Sequence, residues 1–267
     1  MGLRIEAPQS AINTLYETSP SRVLGCGSFG VVVLGLSKRT NRVCAIKSIR
    51  KSRCGSILNP TVEVELLALV NHQYVVRFIE SIEDDLHLHI VMEVCAGRDL
   101  FDVVSEAAEG TAEYHFPLAL AASILLCLFE AIRYLHSQDI VHCDIKTENI
   151  VIKTDGLFLQ EFKLIDLGCA QLHGRGDAPL TRMAGTFEFM SPEVLLTSYD
   201  RRIDIWNAGI VAYVVVCGQR PFGRFQHPNQ VERAILCGDY DTQSSAFSRP
   251  HALDWVIMTP SRAHGVG

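Results

Sequence analysis

The chain has 267 residues, 48% of them hydrophobic and 20% charged, which suits one large domain or two packed lobes and excludes a peptide-sized scaffold, a disordered chain or a fibre. Its 24 Lys and Arg stand against 30 Asp and Glu, and the resulting charge of −6 argues against broad electrostatic attachment to nucleic acid or to an anionic membrane.

Residues 1–20 form a weakly patterned lead-in, so order is expected from about Ser21. The start, MGLRIEAPQS, lacks the apolar stretch of a secretory signal, and Glu6 stands where a myristoylation signal needs Ser or Thr. Nine cysteines with no C-x-x-C pair then point to reduced thiols and a cytoplasmic, or nuclear, setting. From Arg22 to Ile49, β-rich runs (VVVLGL, VCAIKSI) alternate with Gly and Asn turns and predict antiparallel strands. Thr61 to Val70 carries a rough helical period behind Pro60. Further β-like runs at Val75–Ile82 and Leu86–Val94 end at Cys95-Ala96-Gly97, which suits a bend between lobes. Beyond it helices dominate: Leu118–His136 is long and apolar, and Arg202–Cys217 is apolar on nearly every face. The apolar run from 118 to 129 is too short to span a bilayer and reads as a core helix.

Gly25-Cys26-Gly27-Ser28-Phe29-Gly30 is a G-x-G-x-x-G followed by a β-branched run. A strand after the glycines makes a hairpin that can close over phosphates, unlike the strand-to-helix turn of dinucleotide folds. Lys47 interrupts an apolar strand and needs a carboxylate; Glu63 is the preferred partner and Glu65 the competitor. Asp144, Lys146 and Asn149 fall within six positions between two apolar runs, and Asp166 ends a strand before Gly168. An aspartate and an asparagine suit Mg²⁺, which takes oxygen ligands. His87 and His89 are close together, but no cysteine or further histidine completes a metal-ligand set, and both read as solvent-facing strand residues.

In order, these motifs resemble the eukaryotic-type protein kinase catalytic domain from about Val23 to Trp255: the Gly loop, V-C-A-I-K, the helix Glu, H-C-D-I-K-T-E-N, D-L-G, S-P-E and D-I-W-N-A-G. The resemblance implies an α+β, two-lobed protein-kinase-like fold. A small antiparallel β lobe with one helix would span 21–95 and a larger, mainly helical lobe 96–267, with a C-terminal end that looks truncated after Met258. It also implies transfer of the γ-phosphoryl group of ATP, with Mg²⁺, to a protein substrate. Asp144 then resembles the catalytic base and Lys146 the charge-neutralising lysine, with Asn149 and Asp166 as metal ligands. Lys47 and Glu63 would anchor phosphates beneath Gly25 to Gly30. Val32, Ala45 and Val151 would sandwich adenine, Met92 guard the back of the pocket, Glu93 and Cys95 read the base edge, and Asp99 lie near the ribose. The D-x-K-x-x-N pattern and Thr186 resemble serine/threonine kinases, and G-R-D-L-F-D is similar to calcium/calmodulin-dependent-like kinases. Asp99 and Glu148 are acidic positions that some relatives use to favour a basic residue upstream of the phosphosite.

Two departures stand out. Cys143 replaces the arginine that grips an activation-loop phosphate, and Arg182, beside Thr181, occupies the usual phosphothreonine place, so activity without loop phosphorylation is expected. The arginine that pairs with Glu193 has only Arg262 as a candidate. These departures keep a nucleotide-binding pseudokinase or scaffold open as the alternative. Cys26, Cys95 and Cys169 surround the expected nucleotide site and read as passive apolar residues rather than reactive thiols. The sequence leaves the oligomeric state open.

Overall fold

The computed structural model describes residues 11–27, 30–51, 60–108 and 116–242. Arg262 and the chain end after Met258 lie outside them. Among the described residues, those up to His72 together with Val76–Cys95 form one compact unit, and Gln73–Val75 with those from Ala96 onward form a second.

The first unit contains α1 (Ala11–Leu15), β1 (Tyr16–Gly27), β2 (Gly30–Ser37), β3 (Val43–Arg50), α2 (Pro60–Leu69), β4 (Phe78–Glu83) and β5 (His87–Met92). Its strands form one antiparallel sheet in the order β1-β2-β3-β5-β4. Side chains alternate across a sheet, so β3 sends Cys44 and Ile46 to one face and Ala45 and Lys47 to the other. On the first face Cys44, Ile46 and Val91 bury against Ile12 and Tyr16. That cluster explains why helix and strand begin before Ser21: two apolar side chains in the lead-in find a core that only the folded sheet supplies. Gly30 must be glycine, because a Cβ there would fall on the backbone oxygen of Ser48.

The same sheet corrects the reading of the two histidines. β5 lies between β3 and β4, and His89 is buried, with Nδ1 2.8 Å from Ser48 Oγ. His87 is only partly exposed.

The second unit contains β6 (Arg98–Asp99), α3 (Leu100–Ala108), α4 (Leu118–Ser137), β7 (Ile140–Val141), β8 (Ile150–Thr154), β9 (Leu159–Leu164), β10 (Gln171–Leu172), α5 (Pro192–Leu195), α6 (Ile203–Cys217) and α7 (Pro228–Cys237). Two small sheets, β6-β8-β9 and β10-β7, accompany the helices. At 20 residues α4 is longer than the apolar run that predicted it, and by length and composition alone it could cross a membrane. Here Leu120, Ala121, Ile124, Leu125, Leu128, Ala131, Ile132 and Leu135 form a buried stripe at helical spacing. α6 is buried on nearly every face and stops at Gly218, which takes the left-handed φ of 71° that ends a helix.

Candidate active site

In the first unit, register gathers the expected nucleotide-binding residues. Val32 pairs with Lys47 and Ala45 with Met92 across neighbouring strands, and directly opposed residues share a face. Val32, Ala45, Lys47 and Met92 therefore line the face opposite the Ile12–Tyr16 cluster. Lys47 and Glu63 are both buried, and Nζ donates to Glu63 Oε1 at 2.6 Å. Helical phase decides between the two candidate carboxylates. Glu63, Leu66 and Leu67 fall at i, i+3 and i+4 on the buried face of α2, whereas Glu65 is exposed. Gly25 pairs with Val32 and Gly27 with Gly30; Ser28, Phe29 and the side chain of Cys26 lie outside the described residues. Glu93 turns its carboxylate to its own sheet, where Oε1 accepts the Arg77 N–H at 2.9 Å. Cys95, at the end of this unit, is partly exposed.

In the second unit, Asp99 and Val151 pair across β6 and β8. Asp99 Oδ1 accepts the Asp102 N–H at 2.7 Å and so caps α3, while burial and the charges of Asp102 and Glu148 push its carboxyl above the usual range.

Asp144 lies at the centre of a hydrogen-bonded group. Its Oδ1 accepts the Thr186 N–H and hydroxyl, each at 2.8 Å, and Lys146 Nζ stands 3.2 Å from Oδ2. Asn149 Nδ2 donates to the Asp144 backbone oxygen at 2.8 Å and to Oδ2 at 3.2 Å. Lys146 Nζ also donates to Thr186 Oγ1 at 2.7 Å. Gly185 lets the two loops approach, since its φ is 96° and a Cβ would meet the Cys143 carbonyl. The Ile165 N–H bonds the Asn149 carbonyl at 2.9 Å, which brings Asp166 to one residue beyond that crossing. Asp166 itself has φ 67°, with Oδ1 accepting the Gly168 N–H at 3.1 Å. The oxygens of Asn149 and Asp166 make a donor set of the kind a hard divalent cation takes. The Asn149 amide nitrogen is committed to donation, which leaves Oδ1 as its acceptor.

Asp204 was not among the sequence-predicted site residues. Fully buried at the start of α6, it accepts the N–H groups of His142 and Cys143, each at 2.9 Å, and bonds His136 Nε2 at 2.8 Å. A lone acid in the apolar D-I-W-N-A-G stretch was its only signal. Around Cys143 the chain places Gln171, Tyr199 and Arg182. Gln171 Nε2 donates to Cys143 Sγ at 3.4 Å and to Tyr199 Oη at 2.8 Å, and the Tyr199 hydroxyl donates to the Arg182 carbonyl. Arg182 Nη2 in turn donates to the Cys169 carbonyl at 2.7 Å. Burial, reinforced by the charges of Asp144 and Asp166, pushes the Cys169 thiol up to about 11, and burial beside Asp204 raises Cys143 as well. Both are therefore poor thiolates.

The protein kinase domain family matches residues 18–252. The chain is 36% identical over 226 residues to Serine/threonine-protein kinase DCLK1 of Rattus norvegicus, covering 84% of this chain and 50% of that protein. It is 33% identical over 222 residues to Serine/threonine-protein kinase 33 of Bos taurus, covering 80% and 44%. Against Calcium-dependent protein kinase 5 of Plasmodium falciparum it is 32% identical over 242 residues, covering 89% and 40%. The chain thus spans half or less of the length of these relatives. With most of its own length matched and its lysine–glutamate pair and aspartate-centred loop assembled as described, the chain belongs to the protein kinase domain family, in its serine/threonine class.

Proposed function

We propose that the chain is the catalytic domain of a serine/threonine protein kinase, transferring the γ-phosphoryl group of ATP to a protein Ser or Thr hydroxyl. The observation that carries this reading is the Asp144 carboxylate, fixed by Thr186 and Asn149 with Lys146 beside it. Asp144 orients the attacking hydroxyl and accepts its proton, while Lys146 offsets negative charge on the transferred group. Lys47, held by Glu63, anchors the α- and β-phosphates, and Val32, Ala45 and Met92 offer apolar surface to adenine. The backbone of Glu93 and Cys95 reads the base edge, Asp99 lies near the ribose, and the glycines from Gly25 to Gly30 cover the phosphates. Asn149 and Asp166 would hold Mg²⁺, which when bound neutralises charge on the phosphates.

Transfer from radiolabelled ATP to a peptide library, with wild type and Asp144→Ala side by side, tests the reading. Wild type should label Ser and Thr peptides, and Asp144→Ala should lose nearly all incorporation. Equal labelling by both proteins would remove the assignment.

A further inference from the structure

Asp84, His87 and His89 bring three metal-ligating atoms within 4.8 Å of one another, and none of the three is assigned to phosphoryl transfer. His87 and His89 are two apart on β5, and the register opposes His89 to Ser48 and Val91 to Ile46. Both rings therefore lie on the Ile46 face of the sheet, opposite Lys47. Asp84 opens the turn between β4 and β5, and its carboxylate comes round to the same two rings. We propose that these three residues form a binding site for one divalent transition-metal cation of the zinc class.

The spacing fits. With ligand bonds of about 2.0–2.1 Å, a tetrahedral ion needs ligand atoms about 3.3 Å apart. His89 Nε2 lies 3.2 Å from Asp84 Oδ2, and His87 Nδ1 lies 3.8 Å from Asp84 Oδ1. The ligands are also held in place. Asp84 Oδ1 accepts the N–H groups of Leu86 and His87 at 2.9 and 2.8 Å. His89 sets its other nitrogen, Nδ1, 2.8 Å from Ser48 Oγ. With a metal on Nε2 the ring proton moves to Nδ1, where Ser48 Oγ can accept it, an outer partner of the kind that holds a metal-bound imidazole. A hydrogen bond between Asp84 and His89 accounts for only one edge of the triangle. Two imidazoles select zinc-like ions over magnesium, and three protein ligands leave a fourth position for water. The His87 side chain is 35% exposed, which gives the ion a way in.

The test is calorimetric titration of zinc into chelator-treated full-length chain, repeated with His87→Ala, His87→Gln and Ser48→Ala. Wild type should bind one equivalent that an excess of magnesium does not displace. Both His87 variants should lose it, and Ser48→Ala should weaken it about tenfold. Cobalt added to wild type separates this site from the cysteines without relying on any variant's folding: nitrogen and oxygen ligands give d–d absorption without thiolate charge-transfer bands. A folded His87→Gln that keeps the wild-type equivalent, thiolate bands in the cobalt spectrum, or a wild type that takes up neither metal would each overturn the proposal.

Discussion

Asp204 holds the backbone of Cys143: its Oδ1 accepts the Cys143 N–H at 2.9 Å, at a residue whose φ is 65°. A left-handed backbone at a non-glycine residue persists only where its surroundings hold it. Asp204 does so while also bonding the N–H of His142, one residue earlier. Asp204→Ala leaves two buried N–H groups without their acceptor, at roughly 1–3 kcal/mol each. The variant should show a lower urea midpoint, and if folded, a kcat reduced far more than its KM for ATP. Asp204→Asn, which keeps an acceptor, should fall between the two.

The Lys47–Glu63 pair predicts different effects on stability and catalysis. Removing one member strands a buried charge, a loss of about 3–5 kcal/mol, whereas replacing both with apolar residues of similar size is often neutral. Glu63→Leu alone should be strongly destabilised, and Lys47→Met with Glu63→Leu should recover most of the urea midpoint. Neither should regain phosphoryl transfer. A doubly substituted protein with wild-type activity would show that the pair is only structural.

The parts of this site visible in the sequence are those where a polar residue interrupts an apolar pattern. Lys47 in a β-branched strand and Asp144 between two apolar runs stand out that way, but Glu63 could be separated from Glu65 only by the phase of the helix that buries it. Asp204 offered only a lone acid in an apolar helix as its signal, because its partners, two backbone N–H groups and the His136 ring, lie more than sixty residues away. His89 was misread for a related reason. A histidine looks solvent-facing until the sheet order puts its strand in the interior with Ser48 beside it. β6, β7 and β10 have only two residues each, too few for any period to register.

The loop near Cys143 is held by Gln171, Tyr199 and Arg182 through contacts that use no phosphate, so its position is expected not to depend on one. Thr181 is exposed, while Arg182 is tied to Cys169 through its guanidinium and to Tyr199 through its carbonyl. Thr181→Ala and phosphatase-treated wild type should keep wild-type kcat/KM. Tyr199→Phe removes the hydroxyl joining Gln171 to the loop and should lower kcat/KM about fivefold, equivalent to about 1 kcal/mol. Loss of activity on phosphatase treatment would contradict this account.

Buried thiols give the fold an alkaline limit. Burial pushes Cys44 and Cys169 up to about 11 from an ordinary 9.0. Between those values the folded chain keeps protons that the unfolded chain has released, so this contribution is complete below about pH 9 and declines as pH rises toward 11. Urea midpoints should fall over that window, and less steeply in a Cys44→Ala, Cys169→Ala protein. Brief alkylation near neutral pH should label exposed Cys237 and spare Cys143 and Cys169.

Arg220 bears on peptide preference. Its guanidinium lies 3.3 Å from Glu148 and 3.6 Å from Glu188, and it packs over Phe101 and Phe189 at 5.9 Å from each ring centroid. Of the two acids expected to attract a basic residue upstream of the phosphosite, Asp99 and Glu148, the second is thus already paired with the chain's own arginine. Wild type should therefore discriminate only weakly between peptides with Arg and Ala upstream. Arg220→Ala uncovers both carboxylates and should raise the Arg-over-Ala ratio of kcat/KM about threefold, the scale of a partly exposed ion pair, with the gain shrinking in high salt. If the ratio stays constant in Arg220→Ala while Glu148→Gln also leaves it unchanged, Glu148 takes no part in peptide selection. A gain that salt does not reduce would assign the effect to the lost packing over Phe101 and Phe189 instead of to charge.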